Sequence, residues 1–185
     1  MQENRTHLKK PRQPVSSRGR EDTVLRLEVW LPFRLFTISE RVADLLNDYY
    51  APKYGLSRAG WRTLAIVANR AGASAKEICL AGGLDQFAVS RAIATLVERG
   101  YAQRELGKSD RRYASIALTA EGWKVFQDIS VVCRAMDAEL TQQIADEEFA
   151  LLDDILRRLD NASAGMLARG ISGLEGIGEV EQPRQ

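Results

Sequence analysis

Residues 74–100, with the sequence SAKEICLAGGLDQFAVSRAIATLVERG, decide the fold of this chain. Ser74 is followed three positions later by Glu77, which is the spacing of a capping box. In this motif the serine oxygen accepts a hydrogen bond from the third helical N–H group, while the glutamate carboxylate accepts one from the N–H of the serine. A short helix should therefore begin here and end at Gly82 and Gly83, because glycine readily adopts the left-handed conformation that closes helices.

A second helix is predicted over about residues 86–99, with Asp85 as its N-cap and Gly100 as its end. Its apolar residues recur at helical spacing and should face the core: Val89, Ile93, Leu96 and Val97. The opposite face carries small and polar side chains of the kind that contact base edges and phosphates in a DNA major groove: Gln86, Ala88, Ser90, Arg91 and Thr95. Two short helices separated by a tight glycine-containing turn are typical of a helix-turn-helix.

Residues 101–106 and 113–118 are predicted to form the two strands of a β-hairpin, a two-stranded wing. Between them lies a turn with a charged tip, whose side chains are candidate DNA contacts: Lys108, Asp110, Arg111 and Arg112. Arginine is favoured in narrow minor grooves, where the potential is most negative, and the lysine would lie near phosphate. The aspartate would orient one of the arginines, because an unpaired carboxylate would repel DNA. A solvated loop is the alternative for such a tip.

A long amphipathic helix is expected before this segment, over about residues 31–51. Pro32 suits its first turn, where a missing N–H costs nothing, and Pro52 should stop it. The apolar positions alternate steps of four and three, the narrow seam that coiled coils use: Leu31, Leu35, Ile38, Val42, Leu45 and Tyr49. A further helix fits about residues 57–70.

Two helices are expected after the hairpin, over about residues 120–160. Thr119 should cap the first, which fits residues 120–144. The second begins with acidic residues from Asp146 onward, which suit the positive end of a helix dipole. Its apolar positions should lie inside: Phe149, Leu152, Leu156 and Leu159. The predicted fold class is therefore mostly α (α+β).

Several classes of enzyme and metal protein are excluded by the residue types. The only histidine is His7, and Cys79 and Cys133 lie far apart, so zinc-finger spacing and histidine-based triads are absent. The sequence also contains no HExxH, GxSxG or phosphate-cradling glycine loop. We therefore expect no enzyme activity, no metal and no cofactor. No apolar run approaches the about 20 residues needed to span a bilayer, so we expect a cytoplasmic protein with no membrane contact.

Charge is distributed unevenly along the chain. Residues 56–112 contain ten Lys/Arg and five Asp/Glu, whereas residues 146–185 contain nine acids and four arginines. A net charge of only +1 therefore conceals a basic middle segment. This distribution is expected when one region of a protein meets phosphate.

The chain contains a region that resembles the MarR family of winged helix-turn-helix transcriptional regulators. The resemblance is carried by SRAIATLVERGY at 90–101, DRR at 110–112, LTAEG at 118–122 and LSRAGWRTL at 56–64. It covers about residues 30–160. It implies a homodimer in which the N- and C-terminal helices form a dimerisation platform beneath two winged heads, and a pseudo-palindromic double-stranded DNA operator.

The resemblance predicts the family domain, while the polar, basic composition before it and the weakly periodic, Gly- and Ala-rich sequence after it predict the two ends of the chain. A flexible basic arm should precede the family domain, and a loosely ordered tail should follow it. The expected ranges are 1–22 for the arm, 23–162 for the domain, about 56–119 for the winged helix-turn-helix within it, about 31–51 and 120–160 for the dimerisation helices, and 163–185 for the tail.

A small-molecule effector is a further implication of the resemblance, often an aromatic acid or its CoA thioester, bound between platform and winged head. Candidate ligand-binding residues are Trp30, Phe33, Arg34, Tyr49 and Trp61. Arg34 could pair with a carboxylate or a CoA phosphate, or with a carboxylate of the second subunit. The aromatic side chains could equally be core.

Two other functions fit parts of the sequence. A winged-helix adaptor that binds proteins would not need the two arginines of the hairpin tip. A redox-sensing regulator would use Cys79 or Cys133, but neither cysteine has basic neighbours on both sides that would lower its pKa, so buried inert cysteines are favoured. The interpretation preferred here is a ligand-responsive repressor of a catabolic or efflux gene set.

Overall fold

The computed structural model describes residues 25–106 and 114–174. These residues are mostly helical with a small antiparallel sheet, as predicted. The chain divides into two units, one ending at Arg58 and one beginning at Ala59. The elements in chain order are α1 (Leu31–Tyr54), α2 (Arg58–Asn69), β1 (Ala73–Ser74), α3 (Ala75–Gly82), α4 (Gln86–Glu98), β2 (Ala102–Leu106), β3 (Ala114–Leu118), α5 (Ala120–Thr141), α6 (Asp146–Arg169) and a short 3-10 turn, Ile171–Gly173.

Helix α1 has proline in its first turn, as predicted, but the expectation that Pro52 stops the helix is wrong. The helix continues to Tyr54 and ends at Gly55, whose φ of 63° is left-handed and whose N–H donates to the Ala51 carbonyl. Proline removes a single backbone hydrogen bond at this point. Because Pro52 lies in the last turn, the loss is small, and glycine sets the end of the helix.

Arg58, the first residue of α2, pairs with two carboxylates of α1. Its guanidinium donates to Glu40 at 2.8 Å and to Asp44. These two acids lie four residues apart and therefore share one face of the helix. The hydrogen bond that Arg58 donates to Glu40 and the nearby negative charges raise the pKa of Arg58, so this side chain stays charged.

Both caps of the helix-turn-helix form as predicted. Ser74 Oγ accepts from the Glu77 N–H at 3.3 Å, and the Ser74 N–H donates to Glu77 Oε2 at 2.7 Å. The Ser74 hydroxyl also donates to that carboxylate, and these bonds lower the pKa of Glu77. The Asp85 carboxylate accepts from the Ala88 N–H at 2.8 Å. Gly83, with a φ of 58°, closes α3.

The sheet has three strands in the order β1-β3-β2, whereas the sequence predicts a two-stranded wing. Ala73 of β1 pairs with Ile116 of β3, and both side chains are buried. A strand of two residues is too short to show the alternation that identifies strands in a sequence. Helices α2 and α3 are thus joined by backbone that is also hydrogen-bonded to the wing.

The core of the second unit is built from α2, α3, α4, β3 and α5. Val97, predicted to be buried, is exposed, and Ala92 is buried instead. Val97 lies about 80° around the helix from Val89, whereas Ala92 lies about 60° away on the other side, so the buried stripe is displaced from Val97 toward Ala92. Thr63 is fully buried, and its hydroxyl has no hydrogen-bond partner within the described ranges.

Helix α5 begins where the hairpin ends. Thr119 Oγ1 accepts from the Gly122 N–H at 3.0 Å, as the predicted cap requires, and donates to the Gly100 carbonyl. The Thr119 N–H donates to the Tyr101 carbonyl at 3.1 Å. A Cβ atom on Gly122 would lie inside contact distance of that carbonyl group, 2.8 Å from its carbon. Only glycine fits here without moving backbone.

Helix α6 differs from its prediction in its length and in the burial of its apolar side chains. It continues to Arg169, so the expected loose tail is wrong for residues 163–169. Alanine, leucine and methionine in this stretch are strong helix formers, and one interior glycine costs only about 1 kcal/mol. Three of the four side chains expected inside are exposed within this chain, and the fourth is half-buried: Phe149, Leu152 and Leu156 are the exposed ones, Leu159 the half-buried one. No helix within the described ranges is long and apolar enough to cross a membrane.

Candidate nucleic-acid interface

Helix α4 presents a polar face that is anchored from behind by the core. Its inner side chains are buried: Val89, Ala92, Ile93 and Leu96. On the outer side Gln86, Ser90 and Arg91 are exposed, while Ala88 and Thr95 are half-buried at the edges. Exposed donors on a rigidly packed helix of 13 residues match the requirements for insertion into a major groove.

The two ends of α4 fix its position. Asp85 caps the start, and the helix ends with the Tyr101 N–H donating to the Leu96 carbonyl at 2.8 Å. Gly100 lies between them with a left-handed φ of 72°. Helix α4 therefore leads into β2 through a single tight turn, which ties the polar face to the hairpin.

Phe87 is a prominent residue of this face that the sequence analysis missed. Its side chain is 81% exposed, and Phe87, Arg91, Ala94 and Glu98 follow one another along the outermost line of the helix. The signal was available, because a phenylalanine that departs from the buried stripe of an amphipathic helix has no place in the core. The predicted contacts of this face were small or polar side chains, and a large aromatic ring was not among them.

The described part of the wing is the paired region of the hairpin. Strands β2 and β3 pair from Ala102 and Leu118 to Leu106 and Ala114. Side chains near the base are exposed and polar, and Gln103 Nε2 donates to Glu105 Oε1 at 3.0 Å. The four predicted tip contacts lie outside the described residues: Lys108, Asp110, Arg111 and Arg112.

Known proteins are similar to the part of the chain that contains α4 and the hairpin. The MarR family model matches residues 54–112. An uncharacterized HTH-type transcriptional regulator, YwoH of Bacillus subtilis, is 28% identical over 116 residues, which is 63% of this chain and 83% of YwoH. A MarR-family transcriptional regulator from Silicibacter pomeroyi has a crystal structure similar to this one, with a TM-score of 0.65 and 27% identity over 74% of this chain and 92% of that one.

Residues 54–112 thus match the MarR family, and the solved structures that the chain resembles are MarR-family transcriptional regulators. Proteins of this family are transcriptional regulators and not enzymes. They bind DNA, act as dimers and respond to small-molecule ligands, and repression is typical of them. The PcaV regulator of Streptomyces coelicolor, solved in complex with its natural ligand, shares the fold, with a TM-score of 0.62 and 19% identity over 76% of this chain and 99% of PcaV.

The predicted ligand residues of this chain fall into separate groups. Trp30, Phe33 and Arg34 are exposed at the start of α1, and the Arg34 guanidinium makes no ion pair with any residue of the described ranges. Tyr49 is half-buried, and its hydroxyl accepts from Lys53 Nζ at 2.9 Å. Fifteen residues of helix separate Arg34 from Tyr49, a distance of about 22 Å along the axis.

Trp61 lies in the second unit, in an aromatic cluster. Its ring stacks on Phe126 with centroids 6.1 Å apart, and Trp123 meets Phe126 edge to face at 5.8 Å. Stacked and edge-to-face pairs of this kind stabilise a core. The half-buried ring of Trp61 thus has a structural role, whatever else it contacts.

The cysteines give no support to redox sensing. Both are half-buried free thiols, and burial raises the pKa of Cys133. A raised pKa lowers the fraction of reactive thiolate. Within the described ranges no group of three or more His, Cys, Asp or Glu side chains is arranged to hold a metal ion.

Proposed function

We propose that this regulator recognises a specific operator and represses a catabolic or efflux gene set in the cytoplasm. The observation that supports this best is the exposed face of α4, which offers Gln86, Ser90 and Arg91 on a helix whose other side is buried. Gln86 would pair with an adenine edge, where its amide can donate one hydrogen bond and accept another, and Arg91 with a guanine edge, to which its guanidinium can donate two. Ala88 and Thr95 would line the sides of the groove.

The hairpin tip would supply affinity with little sequence preference. Lys108 would contact phosphate, while Arg111 and Arg112 would enter the minor groove with Asp110 as their orienting partner. The excess of five positive charges over residues 56–112 supports a polyanionic partner for this part of the chain.

The protein would bind its operator as a homodimer. Exposed apolar side chains on α6, among them Phe149, Leu152 and Leu156, support a second copy as the partner. A two-fold dimer places its recognition helices about 34 Å apart, one turn of DNA, and therefore requires a pseudo-palindromic operator.

The effector would be a small aromatic acid, free or CoA-linked, whose binding weakens DNA affinity. Arg34 supports an anionic ligand because it is a cation among exposed aromatic side chains, Trp30 and Phe33. Tyr49 and Trp61 are the other candidate contacts. Binding would act through different affinities for two conformations.

The DNA-binding proposal is tested by salt dependence and sequence preference. Full-length protein should bind a selected duplex with an affinity that falls steeply with salt, and Lys108→Ala should reduce that slope by about one unit. Gln86→Ala and Arg91→Ala should each relax the preference for one base pair by about 1–3 kcal/mol. A protein that ignores duplex DNA in dilute salt would instead be an adaptor.

The effector proposal has its own test. Aromatic acids and their CoA thioesters are titrated against the protein–operator complex, and Arg34→Ala should abolish release by any compound that acts on the native protein. Arg41→Ala, at a second exposed arginine of α1, is the matched control and should leave release unchanged. Release that is equal in both variants removes Arg34 from the binding site.

A further inference from the structure

Phe87 is an unusual residue for the surface of a folded protein. It is more exposed than any other phenylalanine or tryptophan in the described ranges. Since α4 is anchored by four buried side chains on its opposite side, the helix cannot rotate to bury this ring without exposing them. The ring is therefore held outward by the same packing that holds Arg91 outward.

The surroundings of Phe87 indicate which partner covers it. Its exposed neighbours Gln86, Ser90 and Arg91 are polar or cationic, and this part of the chain carries an excess of positive charge. An apolar protein surface would have to desolvate these groups, whereas duplex DNA offers acceptors and phosphates to them. The major groove also contains one apolar group that a phenyl ring can contact, the 5-methyl group of thymine.

We infer that Phe87 is a specificity-determining residue that reads a thymine methyl group in each half of the operator. The inference rests on the proposed function, because it assumes that α4 enters the major groove. Phe87 precedes Arg91 by one turn, an axial rise of about 6 Å, and base pairs are spaced about 3.4 Å apart. The thymine should therefore lie within about two base pairs of the guanine that Arg91 contacts.

The test uses duplexes that the full-length protein selects from a random pool. In the duplex that binds most tightly, thymines are replaced by deoxyuridine, which lacks only the methyl group. Each substituted duplex carries the replacement at one position, made in both half-sites. At one thymine in each half-site, the replacement should weaken binding of the native protein by about fourfold for each methyl lost. Phe87→Ala should bind the thymine and deoxyuridine duplexes equally, while Phe87→Leu should retain part of the discrimination.

Leu80→Ala is the matched control, because Leu80 is a similarly exposed apolar residue, at 75%, on α3. It should keep the full preference for thymine. Phe87→Ala should melt like the native protein, since its side chain is outside the core. Discrimination that survives in Phe87→Ala, or a native protein indifferent to every thymine methyl, overturns the inference while leaving DNA binding intact. A native protein that selects no sequence removes the proposed function and this inference together.

Discussion

Helices α4 and α6 both carry an apolar stripe, but only α4 buries it within the chain. The inner face of α4 is closed off by four side chains with almost no exposure, whereas α6 has no buried residue at all. Apolar periodicity therefore predicts that a helix face will be buried, but it does not distinguish burial within the chain from burial against a partner. The stripe of α4 is covered by its own fold, and that of α6 awaits a partner, which we propose to be the second copy.

The largest effect is expected on the α4 side of this comparison. Ile93→Ala should lower the free energy of unfolding by about 2–5 kcal/mol, because it leaves a cavity beneath α4. Denaturant unfolding checks this, with Glu98→Ala on the exposed face as a control that should stay within about 0.5 kcal/mol. A small loss for Ile93→Ala would mean that the core readily collapses around the site.

On α6 a similar truncation should affect assembly more than folding. Leu156 is 43% exposed in the single chain, so Leu156→Ala removes contacts mainly from the proposed dimer. Because the residue occurs twice in a dimer, the dissociation constant should rise about 10- to 30-fold. Sedimentation equilibrium over a dilution series measures it.

Arg158→Ala is the control for this experiment, since Arg158 is exposed on α6 and, among the described residues, forms a surface ion pair with Asp154 at 3.6 Å. It should leave the dissociation constant unchanged. If Leu156→Ala leaves assembly untouched but unfolds the chain, then α6 is covered from within and the contrast with α4 disappears.

A stabilising substitution is available in α2. The buried Thr63 hydroxyl has no hydrogen-bond partner among the described residues, so Thr63→Val removes an unsatisfied group while keeping the shape of the side chain. The free energy of unfolding should rise by about 1 kcal/mol. Thermal and denaturant melts measure this, and a loss of stability would show that the hydroxyl is satisfied in solution.

The smallest effect concerns the capping box of α3. Because the folded state lowers the pKa of Glu77, its contribution to stability is present above its ordinary value, near pH 4.5, and is lost as pH falls through the lowered value. Glu77→Gln should therefore reduce the melting temperature at neutral pH, and the reduction should shrink progressively as the pH falls below 4.5. A difference that persists unchanged at low pH would assign the effect to packing.

Local signals in the sequence predicted most of the winged head. The capping box at Ser74, the cap at Asp85 and the cap at Thr119 all form, because each depends on hydrogen bonds within four residues. The predicted end of α1 was wrong because Gly55, and not Pro52, closes the helix. Strand β1 was missed because its pairing with Ile116 is set by residues more than 40 positions away.

The candidate site was predictable only in part. The exposure of Ser90 and Arg91 follows from periodicity alone, and so does the outward direction of Phe87, whereas Gln86 shares a helix face with Val89 and is exposed because it lies in the first turn. The separation of Arg34 from Tyr49 also follows from helical rise. Contacts of these side chains with the proposed ligand would be set by tertiary packing and by the proposed second copy, which the periodicity of one helix does not encode.

The close approach at Gly122 has a mechanical consequence. With no side chain between them, the first turn of α5 touches the main chain at the root of the hairpin, and main chain has no rotamers with which to absorb a displacement. Helix α5 is about 30 Å long, so a small tilt at its far end becomes a change in the direction in which the hairpin points. A displacement at one end of this 22-residue helix is therefore passed to the hairpin through the direct backbone contact at Gly122.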